Sequence, residues 1–263
     1  MLRITALVKY VPELTDRRFT ADFTLDREGT PGRLSELDEH TAEQAISLAE
    51  KRRADGGEAE LTYLTMGPSG AADALRKALS MGGDRAVHVL DPALRGSDVH
   101  ATSLALAVAI GRIGFDLIVC GMASTDAGLG LVPAMLAERL QVPQISLASS
   151  LSLDGDRISI ERESQLATET IEGTLPALVS VTDQTGEARY PSFKGIMAAK
   201  KKPLEVWALA DLGIGEPSAG LQGAYTRVLA ATARPPRGSG EIVTADGDGG
   251  SKLAQFLSAQ KFI

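Results

Sequence analysis

Short apolar segments and amphipathic segments alternate along the first half of the chain, and this alternation constrains the fold more than any other feature. The apolar runs have the length of strands, whereas the segments between them carry helical spacing and end at glycine pairs or other turn signals. In chain order the predicted elements are strand Ile4–Lys9, helix Glu39–Arg53, strand Leu61–Met66, helix Pro68–Met81, strand Ala86–Leu90, helix Asp98–Ile113, strand Asp116–Cys120 and helix Leu131–Leu140. The alternation predicts an α/β protein with a doubly wound, mostly parallel, Rossmann-like sheet.

The pattern changes in the second half of the chain. Three short alternating runs predict a small antiparallel addition, and Asp154-Gly155 marks a hairpin turn between the first two of them: Ile145–Leu153, Arg157–Glu163 and Ala167–Glu172. The apolar run Ala177–Val181 is suited to return to the core sheet. After Pro203 the regularity fades into Gly- and Pro-rich stretches before a helix-like Ser251–Gln260. We expect a core over residues 1–203 and an extended C-terminal arm over 204–263 that orders on another protein.

Composition excludes several classes of protein. The formal net charge is −7, which argues against general nucleic-acid binding. The single cysteine, Cys120, excludes an internal disulfide or a cysteine zinc cluster and is expected to be a buried, inert thiol; the three histidines lie far apart, so we expect no metal site. The N-terminal apolar run is too short for a signal peptide, and no run reaches the ~18 residues of a membrane helix. We expect a soluble, cytoplasmic protein without membrane insertion.

A ligand crevice is expected beyond the carboxyl ends of the strands. Those ends are Leu7–Lys9, Met66-Gly67 and the glycine-rich loop Gly121–Gly130. Glycines allow close approach of a ligand, and the helix start that follows the loop presents free N–H groups to a phosphate. By itself the loop is compatible with a nucleotide site or with a plain strand–helix turn. The G-x-G-x-x-G, Walker and G-x-S-x-G motifs are all missing, and no Ser/His/Asp group can be assembled, which disfavours an ordinary dehydrogenase or hydrolase.

The stretch Arg189–Pro203, here called the basic segment, combines charge with apolar side chains. It holds five basic residues and no acid. On an acidic protein this favours contact with an acidic partner surface, and the alternative is a helix start whose lysines are simply solvated.

Several of these stretches together resemble the β subunits of electron-transfer flavoproteins. The matching segments are Leu7-Val8-Lys9 with Val11-Pro12, Asp38–Leu48, Ala71–His88, Gly121–Leu136, Glu172–Val181 and Arg189–Lys202. The resemblance runs to about Leu212 and resumes in Tyr225–Ile263. It implies an adenine-nucleotide α-hydrolase-like fold and an electron carrier rather than an enzyme. It also implies a heterodimer with an α subunit that holds most of the FAD.

In such a heterodimer, electrons pass from flavin dehydrogenases, such as the acyl-CoA dehydrogenases of fatty acid oxidation, to a quinone-linked oxidoreductase. The resemblance implies a structural AMP in the crevice, with contacts at Leu7, Val8, Lys9, Ser35, Asp38, Met66, Gly121, Ala123, Ser124, Thr125, Asp126, Gly128, Leu129, Gly130 and Leu131. Leu14 takes the place of a residue near the FAD. The basic segment is then the docking loop for partner dehydrogenases, with Phe193 as its anchor and Tyr190, Lys194, Ile196 and Met197 around it.

The sequence departs from the family pattern at three places. Ser35-Glu36 stands where the family often has Asn-Pro, the glycine-rich loop is shorter than in several relatives, and Ala188 replaces a proline ahead of the basic segment. Three alternatives stay open: a bifurcating β subunit with a second FAD in place of AMP, a stand-alone nucleotide-binding protein of the stress type, and, more remotely, an ATP-pyrophosphatase-type enzyme.

Overall fold

The computed structural model describes all residues except 14–17, 233, 237, 239, 241, 243 and 245. Two compact units are present, Met1–Leu229 and Ala230–Ile263. Within the described residues, the strands are β1 (Leu2–Leu7), β2 (Tyr10–Pro12), β3 (Gly32–Leu34), β4 (Ala59–Met66), β5 (Arg85–Val89), β6 (Leu117–Gly121), β7 (Gln144–Ala148), β8 (Ser150–Asp154), β9 (Arg157–Glu163), β10 (Thr168–Thr174), β11 (Ala177–Val181) and β12 (Leu204–Trp207). The α-helices are α1 (Glu36–Ala54), α2 (Ala71–Met81), α3 (Val99–Ile113), α4 (Val132–Leu140), α5 (Phe193–Ala199) and α6 (Gly249–Ala259).

A seven-stranded sheet in the order β12-β5-β4-β1-β6-β11-β7 forms the centre of the first unit. Its pairs are all parallel, which confirms the predicted doubly wound α/β fold. Helices cover both faces of the sheet. Side chains at successive positions of a strand point to opposite faces, so each strand contributes to both core layers. In β4, Tyr63 packs in the core layer of α1 and α2, and its neighbour Leu64 packs in the layer of α3 and α4.

The small antiparallel sheet is also present, with the order β10-β9-β8 and the expected turn at Asp154-Gly155. The single apolar run Ile145–Leu153 nevertheless forms two strands. β7 enters the central sheet beside β11, whereas β8 pairs with β9. Leu147 of β7 has a φ of +64°, beside a register shift in the pairing of β7 with β11, and the Ser149 N–H that follows β7 donates to the Glu161 carbonyl of β9.

The region after Pro203 is more regular than the sequence predicts. Strand β12 pairs in parallel with β5 at the edge of the central sheet, and its Trp207 is buried in the α3/α4 layer. The guanidinium of Arg112 stacks on the Trp207 ring at 4.4 Å from the centroid. The compact unit therefore continues to Leu229, beyond the residue 203 at which the sequence analysis ended the core.

Among the described residues of the second unit, α6 is the only helix or strand. This helix matches the predicted helix within two residues at each end, and it has no buried residue. Leu253 and Phe256 of this helix and Phe262 beyond it are exposed. A segment that buries none of its large apolar side chains lacks the hydrophobic stabilisation of a folded domain.

The order of the central sheet determines where a ligand can bind. The chain leaves β1 toward β4 on one side and returns to β6 on the other, so β1 and β6 are neighbours that flank a topological switch point. At such a point the loops diverge and leave a crevice at the carboxyl ends of the strands. Lys9 follows β1 there, and Gly121 ends β6.

Candidate functional site

Three parts of the chain meet at the floor of this crevice. The Lys9 backbone N–H donates to Asp38 Oδ2 at 2.8 Å, and the Ser35 N–H donates to the Lys9 carbonyl at 2.9 Å. The first turn of α1 is thereby fixed to the end of β1. A side chain at Gly121 would place its Cβ 2.6 Å from Asp38 Oδ1, so only glycine lets β6 approach this carboxyl group.

The Asp38 carboxyl group is buried, and its pKa is strongly perturbed. Burial raises the pKa of Asp38 to about 7, although the Lys9 N–H and the Lys9 charge act in the opposite direction. Desolvation disfavours the charged form of an acid, and one backbone donor does not offset it here. Asp38 thus changes charge near neutral pH inside the crevice.

Asp126 links the glycine-rich loop to two cations. Its Oδ1 accepts from Lys9 Nζ at 2.8 Å, and its Oδ2 accepts from Arg27 Nη2 at 2.5 Å. Lys9 Nζ also donates to Ser124 Oγ at 3.0 Å. Burial by itself raises the pKa of Asp126, but the charges of Lys9 and Arg27 outweigh it and hold that pKa below its usual range. These side chains form a polar cluster at one wall of the crevice.

Beyond Asp126, the glycine-rich loop contains two glycines in the left-handed region of φ. Gly128 and Gly130 have φ values of +62° and +66°, which favour glycine, and Leu129 and Leu131 are exposed. Met122 donates its N–H to Val181 of β11, which fixes the start of the loop. Helix α4 begins directly after the loop, so its first N–H groups lie at the same edge of the sheet as the crevice.

The crevice has polar atoms without a partner inside the described part of the chain. They are the buried atoms Ser35 Oγ, Thr41 Oγ1, Thr65 Oγ1 and Arg27 Nη1. Buried polar atoms ordinarily have hydrogen-bond partners, so these four atoms have hydrogen-bonding capacity that the described residues do not use. The hydroxyls suit a ribose or a base edge, and the cations suit a phosphate. The residues present therefore fit a phosphate-bearing nucleotide.

The structure brings together part of the predicted nucleotide set. Lys9, Asp38, Ser124 and Asp126 are joined directly or through Lys9, and Gly121 lies against Asp38. Ser35 belongs to the same group through its N–H bond to the Lys9 carbonyl. The other predicted contacts lie at strand ends or in the loop: Leu7, Val8, Met66, Ala123, Thr125, Gly128, Leu129, Gly130 and Leu131. Leu14, predicted near the FAD, lies outside the described residues.

Arg27 is the site residue that the sequence reasoning missed. It lies in the long loop between β2 and β3, between Asp26 and Glu28, where neither periodicity nor a motif distinguishes it. Its partner Asp126 is 99 residues away along the chain.

The basic segment forms a short helix at the surface. Ser192 caps α5 by accepting from the Gly195 N–H at 3.0 Å. Tyr190 and Phe193 are 94% and 81% exposed, and Ile196 and Met197 are exposed as well. Lys194 is also exposed and has no ion pair among the described residues. The basic segment thus exposes four large apolar side chains and a lysine that has no ion pair in the described part of the chain.

Two of the five basic residues of this segment, Arg189 and Lys202, bond to other parts of the same chain. Arg189 forms paired hydrogen bonds with Glu43 and Glu50 of α1, at 2.8 to 3.0 Å. Lys202 donates through Nζ to the Leu79 carbonyl of α2, and Arg76 of α2 donates to two carbonyls of the segment. Acids that are distant in sequence therefore neutralise Arg189. Burial alone raises the pKa of Glu43, but Arg189 outweighs it and lowers the pKa.

The residues ahead of the basic segment are also held by α1. The Gly186 carbonyl accepts from His40 Nδ1 at 2.9 Å, and the Thr185 carbonyl accepts from Gln44 Nε2 at 2.8 Å. Helix α1 therefore contacts the crevice with its first turn and the basic segment with its later turns.

Among the described residues, no group of three His, Cys, Asp or Glu side chains is arranged to hold a metal ion. In the same part of the chain, no helix has both the length and the hydropathy needed to span a bilayer.

Comparison with known proteins gives a consistent result. The family model described as "Electron transfer flavoprotein domain" matches residues 22–212. The chain is 47% identical to "Electron transfer flavoprotein subunit beta" of Mycobacterium tuberculosis and 46% identical to that of Mycobacterium leprae, in each case over 100% of both chains. It is also 30% identical to "Caffeyl-CoA reductase-Etf complex subunit CarD" of Acetobacterium woodii, over 92% of each chain.

Proposed function

The chain belongs to the electron transfer flavoprotein family as a β subunit, and from this premise we propose that it binds AMP in the crevice and works in a heterodimer with an α subunit. In this assignment the AMP is structural. The redox chemistry belongs to the FAD, which accepts and releases electrons and is held mostly by the α subunit. The β subunit orients the assembly and recognises its partners.

The crevice at the switch point is the observation that carries the AMP assignment. Lys9 and Arg27 provide positive charge for a phosphate, and the unpartnered hydroxyls Ser35 Oγ and Thr65 Oγ1 provide donors at the neighbouring strand ends. Charge-assisted hydrogen bonds to phosphate oxygens are the strong ones, which favours a nucleotide over a nucleoside. Gly121 leaves room at the floor that any other residue would fill.

The basic segment is the proposed docking surface for flavin dehydrogenases such as acyl-CoA dehydrogenases. A protruding aromatic side chain that enters a partner's pocket gives a central anchor, and an unpaired lysine beside it accelerates encounter with an acidic surface. Phe193 and Lys194 have these two properties. Electrons then leave toward a quinone-linked oxidoreductase.

The C-terminal part of the chain is proposed to pack on the α subunit. The second unit buries none of its α6 side chains, so its exposed Leu253, Phe256 and Phe262 need a surface from elsewhere. Covering large apolar side chains stabilises an interface by about 1.5–3 kcal/mol for each one fully buried.

The test is co-expression with the α subunit followed by identification of the nucleotides released on denaturation. We expect one AMP and one FAD per heterodimer. Two FAD molecules and no AMP would replace this assignment by the bifurcating type. A stable monomer without affinity for an α subunit would contradict the carrier function altogether.

A matched pair of glycine variants locates the AMP. Gly121→Ala places a Cβ 2.6 Å from Asp38 Oδ1 and should lower the bound AMP at least ~10-fold, as expected when a Cβ obstructs close backbone approach. Gly111→Ala is the control, because a Cβ there meets nothing within 4 Å. Equal AMP content in the two variants would place the nucleotide elsewhere.

A further inference from the structure

The wall of the crevice contains a buried negative charge where a phosphate is proposed to bind. The Asp126 side chain is 2% exposed, whereas those of Lys9 and Arg27 are 35% and 33% exposed. Both carboxylate oxygens face the two cations, and Oδ1 also accepts from the Ala127 N–H at 2.8 Å. The acid therefore lies deeper than the bases and occupies donors that an anionic ligand would use.

The cations are not fully used by this acid. Two positive charges share one carboxylate, so the trio carries a net charge of +1 while Asp126 is ionised. Burial and the neighbouring charge of Arg27 lower the pKa of Lys9, which indicates that the two cations repel each other. Arg27 Nη1 is buried and has no acceptor among the described residues. A guanidinium has five N–H donors and can hold a second acceptor in addition to Asp126.

A phosphate monoester near this trio would meet attraction and repulsion together. It carries about −1.5 to −2 charges at neutral pH. Arg27 can bond its oxygens through Nη1, while the fixed charge of Asp126 repels them and competes for Nη2. In a partly buried site such charge interactions are much stronger than in water.

Resting on the proposed AMP site, we propose that Arg27 is a phosphate-binding residue of the crevice and that Asp126 is a built-in competitor of the phosphate for Arg27. Arg27 then makes the site select a nucleotide over a nucleoside. Asp126 limits the affinity of the site for AMP and for other anions, because it occupies donors of Lys9 and Arg27.

The affinity ratio of AMP to adenosine isolates the phosphate from the rest of the ligand. We would measure both by calorimetric titration of the heterodimer after the nucleotide has been dialysed away. In Arg27→Gln the AMP affinity should fall about 10- to 100-fold, as for a lost charge-assisted bond, with adenosine affinity unchanged. In Asp126→Asn, which keeps the size and the acceptor for Ala127 N–H, the AMP affinity should rise about 10-fold.

Arg33→Gln is the matched control, because Arg33 pairs with Glu36 at the exposed end of α1 and loses the same charge. Its AMP affinity should equal that of the wild type. Arg27→Lys should restore part of the affinity lost in Arg27→Gln, which a purely structural role for the guanidinium would not predict. If Asp126→Asn fails to assemble, the Arg27 series alone still decides the phosphate role.

The outcomes separate this inference from the AMP assignment. Weaker AMP binding in Asp126→Asn, or equal loss of AMP and adenosine in Arg27→Gln, would overturn the inference while the AMP site stands. A wild-type heterodimer that binds neither AMP nor adenosine would overturn the AMP assignment and the inference with it.

Discussion

The crevice and the basic segment place their side chains in opposite ways. The crevice buries charge, with Asp38 and Asp126 both withdrawn from solvent. The basic segment exposes apolar surface, with Tyr190 and Phe193 almost fully in water. Each arrangement is unfavourable for folding taken alone, since charges prefer water and aromatic rings prefer a core. Because neither arrangement favours folding, we attribute the choice of residues in both regions to the proposed binding functions.

Helix α1 joins the two regions. Its first turn holds Asp38 against Lys9, and its later turns hold Arg189 through Glu43 and Glu50. The same helix therefore supports a buried carboxyl group at one end and the basic segment, the proposed docking surface, along its side. The predictions below test whether the two regions differ as described, in stability and in partner binding.

The largest expected effect is on the crevice. The pKa of Asp38 is about 7 in the folded protein against 3.8 for the free side chain, so the folded state binds the extra proton between about pH 4 and pH 7. Stability contributed by the protonated carboxyl is present at low pH and is lost as pH rises through 7. Asp38→Asn removes this loss and should raise the free energy of unfolding at pH 8 by about 2–4 kcal/mol.

Urea unfolding from pH 5 to pH 8 measures this effect as the difference between variant and wild type. His88, whose pKa burial lowers, titrates equally in both proteins and cancels in the difference. A difference that does not change with pH would show that Asp38 is ionised throughout the range.

Phe193→Ala tests the basic segment. Because the ring is 81% exposed, the free energy of unfolding should stay within about 0.5 kcal/mol, as for other surface substitutions. Dehydrogenase binding should weaken about 30-fold or more, as for a central interface anchor. Leu166→Ala, at a side chain 97% exposed in the β9–β10 turn, is the control for loss of exposed apolar surface. Equal binding by the two variants would remove Phe193 as the anchor.

Arg189→Gln tests whether Arg189 stabilises the basic segment without itself contacting the proposed partner. The change leaves Glu43 half-desolvated without its partner and should lower the free energy of unfolding by about 1–2 kcal/mol. Dehydrogenase binding should weaken less than in Phe193→Ala, since no contact residue is lost. Thermal unfolding and a binding isotherm on the same preparation give both quantities, and unchanged stability would mean that the Glu43 and Glu50 bonds contribute nothing net.

Lys194→Gln has the smallest expected effect. Its ammonium group has no ion pair in the described residues, so stability should not change. The association rate with a dehydrogenase should fall about 2- to 3-fold at low salt, and the difference should vanish at high salt. Stopped-flow association at two ionic strengths measures it, and a salt-independent difference would argue against electrostatic steering.

The sequence predicts correctly those helices and strands whose ends are marked by nearby cap or turn residues. Helix α3 begins at its Asp98 cap and ends before Gly114, and strand β9 has its predicted bounds, since alternation and turn residues define both. The division of Ile145–Leu153 into two strands depends instead on which strand lies beside each half. Its apolar alternation is interrupted only at Ser149, and one polar residue is too weak a local signal to separate two strands.

The candidate site likewise contains some residues that the sequence predicts and some contacts that it does not. Lys9 and Asp126 are both predicted in the crevice, because each follows the carboxyl end of a strand, but the ion pair between them is not predicted. Arg27 and the Arg189–Glu43 pair join residues 99 and 146 positions apart through loops and surfaces whose geometry no local rule determines. Such contacts are visible only after the chain has folded.

The contact between Gly121 and Asp38 has a consequence for evolution. With a Cβ at position 121 only 2.6 Å from Asp38 Oδ1, the two positions cannot change independently. Relatives that replace the glycine should carry a shorter residue at position 38, and relatives that retain the aspartate should retain the glycine. Correlated substitution at these two positions in an alignment of β subunits would show that this packing constraint has acted during evolution.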